Sequence, residues 1–308
     1  MFKPMKIQLK LSNHVISKSG GHRITELPNY PITRLPNNLI SHLFLVILLL
    51  LTFYPFMFML ITSLKSVPQF YQNFWKIVRP FHWENYAEAW EIVHRFILNS
   101  IIVSGITLVG VLTLGSITAY IFARFDFWGK NFLFYAIIVL LMIPGILTLV
   151  PTFMTVKQLN LLNTRWVLIL PYISGGQVFA IFLLRSFFES LPRDLLDAAT
   201  IDGCSERRIL WHVVIPLSRP ILGTVAIINL IATWNEFIWP FVTLQSMDKF
   251  VLPVGLLSYF SPSSNALYGM KYGTMFAGYT IAALPLLILF LFTMRAFIKG
   301  LSSGAMKF

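Results

Sequence analysis

The run LISHLFLVILLLLTFYPFMFMLI, Leu39 to Ile61, holds 23 residues without one acid, lysine or arginine. A helix rises about 1.5 Å per residue and the hydrocarbon core of a bilayer is about 30 Å thick, so roughly 20 such residues are enough to cross it. This first span is placed at about Ile40–Ile61. Five more stretches pass the same test, at about Ile97–Phe122, Phe132–Met154, Val167–Phe187, Ile221–Leu244 and Phe276–Phe297. Pro144-Gly145 and Pro151 interrupt the third, and Pro171 and Ser174-Gly175-Gly176-Gln177 fall inside the fourth. In lipid, backbone groups freed by Pro or Gly must be satisfied by neighbouring helices or a water-lined cavity. The six segments are therefore expected to pack together as an all-α, polytopic transmembrane helical bundle.

Composition agrees. Of 308 residues, 56% are hydrophobic and only 12% charged, against a soluble norm of roughly 25% charged. So few charges cannot cover a water-facing surface, which makes lipid the solvent for most of the chain. The single cysteine, Cys204, excludes a disulfide within the chain and leaves no cysteine metal site, so it is read as structural. A net charge of +12 in a soluble protein would raise nucleic-acid binding. Here the basic residues sit in polar gaps between apolar runs, where they report topology instead. With the amino terminus inside, cytoplasmic segments hold 16 of the 24 Lys and Arg residues and outer loops hold 8. Both termini are accordingly placed in the cytoplasm of a bacterial-type cell, with the chain multi-pass in its inner membrane.

Domain boundaries follow. Residues 1–39 form a basic, proline-dotted cytoplasmic tail, 40–300 the permeating membrane domain, and 301–308 a second cytoplasmic tail. A cleaved signal peptide is disfavoured, since the first apolar run is too long and too far from residue 1. Trp75, Trp83, Tyr86 and Trp90 in the first outer loop have two readings, interfacial anchoring and packing within the loop. The outer loop Gln245–Thr274 reads from composition as a polar and aromatic surface loop carrying Tyr259, Ser261, Pro262, Tyr268 and Tyr272.

The most informative polar segment is 191–217, LPRDLLDAATIDGCSERRILWHVVIPL, between the fourth and fifth spans. It is too polar to cross a membrane yet carries helix signals. Pro192 suits a first turn with Ser190 as cap, and Asp194 and Asp197 occupy early turns, where the helix dipole favours acids. Ala198 and Ala199 leave a low surface that another backbone can approach. Gly203 suits the left-handed residue that ends a helix. Ser205 can cap a second short helix, Glu206–Val214, stopped at Pro216. Two readings stand on these residues alone: a handle gripped by another protein, and an amphipathic connector on the membrane surface.

Asp197-Ala198-Ala199, three residues, Gly203, nine residues, then Val213-Val214-Ile215-Pro216 resembles the coupling signature of ABC-importer permeases. That pattern is Glu-Ala-Ala, three residues, Gly, nine residues, Ile-x-Leu-Pro; this chain has Asp for Glu, Val for Ile and Ile for Leu. The resemblance covers nearly the whole chain after residue 40 and is similar to the carbohydrate branch. Thr62-Ser63-Leu64-Lys65, Glu84-Asn85-Tyr86, Asn99-Ser100, Ala119 to Arg124 and Met142-Ile143-Pro144 carry it, as do Leu183 to Phe188, Ile201-Asp202-Gly203 and Trp234-Asn235-Glu236-Phe237. It implies the six-span subunit of a maltose- or glycerol-phosphate-type sugar importer with the type I permease fold. A second permease subunit in a heterodimer, two cytoplasmic ATPase subunits and an extracytoplasmic binding protein are implied with it. The short helix bearing Asp197, Ala198, Ala199, Asp202 and Gly203, up to Pro216, would dock on the ATPase. The loop Gln245–Thr274 would reach toward the binding protein.

No G-x-x-x-x-G-K-[ST] phosphate loop is present, so the chain is read as no enzyme, with ATP hydrolysis on separate subunits and no cofactor or metal of its own. His82, His94 and His212 are scattered and are read as surface or packing residues. Glu236 is the one acid inside an apolar run, where an ionisable group normally faces a cavity or a partner. Trp234, Asn235 and Glu236 are thus candidates for the translocation path, the competing reading being helix glue or an interfacial position; Asn229 shares that ambiguity. Rival classes are an importer permease for amino acids or peptides and a secondary transporter. The latter would need intramembrane charged pairs or internal repeats, and Glu236 stands alone.

Overall fold

The computed structural model describes residues 38–260 and 271–305. Of the two expected tails, residues 1–37 and 306–308 lie outside the described residues, as do Ser261, Pro262 and Tyr268. Residues up to Leu51 form one unit and those from Thr52 onward another. In the first, the side chains of residues 41–51 of α1 (Asn38–Ser63) are exposed throughout, so this apolar stretch buries no face of its own.

The second unit continues α1 and adds α2 (Val67–Gln72), α3 (Glu84–Arg124), α4 (Lys130–Val139), α5 (Gly145–Gln158), α6 (Trp166–Glu189), α7 (Arg193–Ile201), α8 (Glu206–Ile209), α9 (Ile215–Leu217), α10 (Arg219–Asn235), α11 (Ile238–Thr243), α12 (Leu252–Phe260) and α13 (Tyr272–Ala305). Among the described residues, four helices are long and apolar enough to cross a membrane, and six crossings result if each of two bent pairs counts as one. The bent pairs turn by 104° between α4 and α5 and by 79° between the α8–α9 run and α10.

Several spans depart from their expected limits. α3 begins at Glu84 instead of Ile97, because Glu84, Glu88, Glu91 and Arg95 stop an apolarity count without stopping a helix. The third span breaks where Ile143 takes an extended conformation before Pro144, as residues preceding proline do. The fifth does not continue to Leu244: Glu236 is extended, and α11 starts a separate short helix. The loop after it is no mere surface loop either. It contains α12, whose Leu252, Val254 and Phe260 are buried, an apolar content that outweighs the flanking polar residues.

α6 is unbroken despite Pro171. Proline lacks the N–H that would bond the carbonyl four residues back. That carbonyl is Val167, and it accepts instead from the indole Nε1 of Trp239 at 2.9 Å. α3 and α6 form the closest pair in the bundle. A Cβ on Gly110 would lie 2.5 Å from Ile173, and one on Gly176 would lie 2.7 Å from Val111. Small residues permit such approach where no hydrophobic force drives helices together in lipid.

Toward the Glu84 end of α3, polar side chains tie loops to helices. Asn99 donates to the carbonyls of Asp248 (2.8 Å) and Phe250 (3.0 Å) and accepts from Arg165 (2.8 Å). Ser100 accepts from the Leu252 N–H. Lys65, 1% exposed, donates to the carbonyls of Asn73 and Phe74, and burial lowers its pKa. Trp75, Trp83 and Trp90 keep exposed indoles, which fits interfacial anchoring, while the Tyr86 hydroxyl is hydrogen-bonded to Ser63 Oγ.

Candidate functional site

Segment 191–217 is a double helix with two unlike faces. On the inner face Leu196, Ile209, Leu210 and Val214 are buried in one core with Val111, Ala119 and Tyr120 of α3, Ala180, Leu184 and Phe188 of α6 and Val225 of α10. Ala199 and Cys204 pack against the same core. The outer face presents Asp197, Ala198, Asp202 and Gly203, together with Ile201 at 86% exposure. A fully exposed isoleucine beside a bare alanine is a surface suited to contact rather than to water.

Local chemistry explains the shape. Pro192 stands at the cap position of α7 and Asp194 in its first turn. Ser190 does not cap α7; its hydroxyl donates to the Phe187 carbonyl and closes α6 instead. Gly203 takes φ +76°, the left-handed region. Ser205 holds the cap position of α8, but its side chain makes no cap bond there. The second helix also runs past its expected end: after α8 comes a π-helical turn, Leu210–Val214, and Ile215 bonds back five residues to the Leu210 carbonyl. This wider turn lets exposed Pro216 sit inside α9 without stopping the helix.

Two polar contacts fasten the element to α3. The Tyr120 hydroxyl donates to Glu206 Oε2 at 2.6 Å, and Arg124 approaches Asp197 at 3.9 Å with the aspartate largely in solvent. The first is the stronger, being short, charge-assisted and on the buried Tyr120. Tyr120→Phe is expected to cost roughly 2 kcal/mol of local stability and to speed amide hydrogen exchange across 193–217. Exchange unchanged over that segment would contradict the fastening role. Nearby, the hydrogen bond from Lys130 holds the Asp126 carboxyl below its ordinary pKa.

The translocation-path candidates are not brought together. Trp234 is buried in a core with Val93, Phe96, Leu252 and Ala277. Asn235 donates to the Ile231 carbonyl of its own helix. Glu236 alone lines cavities, one of about 800 Å³ and one of about 310 Å³, and its Oε1 accepts from the Trp239 N–H at 3.2 Å. Asn229 lines the smaller cavity. His82 contacts Glu84, while the rings of His94 and His212 are hydrogen-bonded to the Trp90 and Arg208 carbonyls. Tyr120 and Lys65 hold their elements in place through hydrogen bonds, to Glu206 and to the Asn73 and Phe74 carbonyls; composition singled out neither, although both fall in stretches that carry the family resemblance.

The helical pair thus hangs between α6 and α10, with one face sunk in the core they share and the other exposed. Residues 111–303 match the family described as "Binding-protein-dependent transport system inner membrane component". The chain belongs to this family and is a multi-pass inner-membrane transport protein. It is 35% identical over 272 residues to the diacetylchitobiose uptake system permease protein of Streptomyces coelicolor, covering 87% of this chain and 88% of that one. It is 33% identical to the arabinooligosaccharides transport system permease protein of Bacillus subtilis, covering 86% and 94%. In fold it is similar to a bacterial ABC transporter involved in import of the acidic polysaccharide alginate, with a TM-score of 0.72 and 22% identity over 83% of this chain and 94% of that one.

Proposed function

We propose that this chain is a membrane-spanning permease subunit of an ATP-driven sugar importer and that segment 191–217 is the handle by which a cytoplasmic ATPase moves it. The observation that carries this reading is the two-faced helical pair: its outer face bears exposed Ile201, Ala198 and Gly203, while its inner face is sunk in the core shared by α3, α6 and α10. A push on α7 therefore reaches two flanking spans through packed side chains, and close-packed interiors transmit displacement instead of absorbing it. The sugar assignment rests on relatives whose printed names concern diacetylchitobiose and arabinooligosaccharides.

In this reading a second permease subunit completes the pathway, two ATPase subunits grip one handle on each permease, and an extracytoplasmic binding protein delivers the solute. The reading places both termini in the cytoplasm, supported by the excess of Lys and Arg that this orientation puts on that side. Tilting of the spans attached to each handle closes one gate as the other opens. Asp197, Ala198, Ala199, Asp202, Gly203 and Pro216 form the coupling surface and its frame.

The test is co-purification. Tagged wild-type chain is expected to retain its ATPase in detergent, and Ile201→Asp, which puts a charge at the apex of the exposed face, is expected to cut that yield at least about tenfold. Retention of the ATPase at full yield by Ile201→Asp would remove the docking role.

A further inference from the structure

Where α3 gives way to α4, Asp126, Lys130 and Phe132 line a cavity of about 320 Å³ together with Arg185 of α6. Its two cations are largely covered, their side chains 17% and 15% exposed, yet only partly spent. Lys130 Nζ donates to Asp126 Oδ1 at 2.9 Å, and an ammonium has further donors to give. Arg185 lies 3.6 Å over the Phe134 ring, and its Nε donates to Glu189 Oε1 at 2.8 Å. Its terminal nitrogens make no hydrogen bond among the described residues. Stacking holds the guanidinium flat, so its remaining edge can offer a phosphate two parallel donors.

The surroundings are those of a membrane surface. α4 has no buried residue. Phe132, Tyr135 and Val139 follow one another at intervals of three and four, all exposed, and so form an apolar stripe leading from the cavity along one side of the helix. Trp128 beside the cavity is almost wholly exposed, and an indole is favoured at the headgroup level of a bilayer. A soluble phosphate would gain nothing from the stripe. A zwitterionic lipid would bring a cation of its own to two already there. An anionic phospholipid fits both parts, with its phosphate on the cations and an acyl chain on the stripe. The group it must displace is Asp126, whose carboxylate is 98% exposed. That carboxylate has a second cation within reach of its charge: after Lys130, Arg193 of α7 also helps to hold its pKa below the ordinary value.

We propose that the α3–α4 corner binds the headgroup of an anionic phospholipid, whose phosphate replaces the Asp126 carboxylate on Lys130 and is shared with Arg185. Asp126 then turns to Arg193, the first residue of α7. An occupied site thereby adds a tie between this corner and the handle, whichever solute the protein carries.

Native mass spectrometry of the full chain, purified with whatever partners it retains and exposed to equal amounts of phosphatidylglycerol and phosphatidylcholine, tests the site. Wild type is expected to keep phosphatidylglycerol at least about fivefold over phosphatidylcholine. Lys130→Gln and Arg185→Gln should each remove most of that preference. Asp126→Asn, which takes away the competing carboxylate, should increase it, and a gain is not a result that misfolding produces. The ion pairs lost in these variants are i,i+4 contacts to solvent-facing carboxylates and add little to stability. Absence of a preference in wild type overturns the site, and so does a preference kept by both glutamine variants. Displacement of the lipid by millimolar inorganic phosphate would make the cavity a pocket for a free anion and overturn the lipid as its occupant. Loss of a bound ATPase by the glutamine variants, with no lipid preference in wild type, would make the corner a protein contact instead.

Discussion

Gly203→Val is expected to leave the chain folded and inserted while reducing ATPase co-purification at least about tenfold. The reason lies in the backbone alone. Gly203 stands at φ +76°, and a Cβ built on it meets nothing within 4 Å, so no buried neighbour objects to a side chain. What objects is the left-handed conformation, which costs an ordinary L-residue about 1–2 kcal/mol and a β-branched one more. The turn between α7 and α8 is held by Gly203 N–H on the Thr200 carbonyl and Cys204 N–H on the Ala199 carbonyl, both at 3.0 Å. Valine relieves its strain by opening this turn, which swings Ala198 and Ile201 away from the positions fixed by Leu196 and Ile209 beneath them. Gly203→Asn separates conformation from bulk, since asparagine tolerates the left-handed region. It should hold most of the ATPase that valine loses. Equal loss by both variants would mean that the exposed glycine is needed for close approach and not for its turn; retention by both would dispose of the coupling role altogether.

The same element shows how far the sequence could be read. Apolar runs located the four helices long enough to cross a membrane and fell on the two bent pairs that would raise the count to six, because the hydrocarbon core acts on every residue of a span and leaves a signal about twenty residues long. The left-handed turn at Gly203 was legible too, since few residues tolerate that conformation. Breaks were harder. Pro144 announced one, but Pro171 looked alike and breaks nothing, because the Trp239 indole, 68 residues further on, takes up the carbonyl it frees. Such a rescue depends on which helix packs alongside, and no local pattern records it. The break at Glu236 had no proline to mark it, and the π-helical turn at Leu210–Val214 carried Pro216 past its expected stop. Adjacency in sequence does not bring the path candidates together: Trp234 and Asn235 close α10, one pointing into the core and one bonding its own helix, while Glu236 is extended beyond the helix end and faces the cavities.

Gly273→Ala, which makes the tightest Cβ contact of any glycine among the described residues, should cost about 3 kcal/mol. Its Cβ would lie 2.2 Å from the Lys65 backbone oxygen and 2.3 Å from Asn85 Nδ2. Neither can easily retreat. Asn85 Nδ2 already donates to the carbonyls of Ser63 (2.8 Å) and Lys65 (3.0 Å), and the Lys65 ammonium is anchored on Asn73 and Phe74. One glycine thus lets the starts of α3 and α13 meet the end of α1 through a single amide. An inserted methyl must part these three helices or break both amide hydrogen bonds, and a buried backbone carbonyl left unpaired in a membrane protein is costly. Thermal unfolding of the purified protein in detergent should show the loss as a midpoint lower by on the order of 10 °C. A double-mutant cycle tests the cause. If the methyl acts by colliding with the amide, Asn85→Ala and Gly273→Ala together should cost less than the sum of the two by about 1 kcal/mol. Strict additivity would place the damage on the Lys65 carbonyl alone.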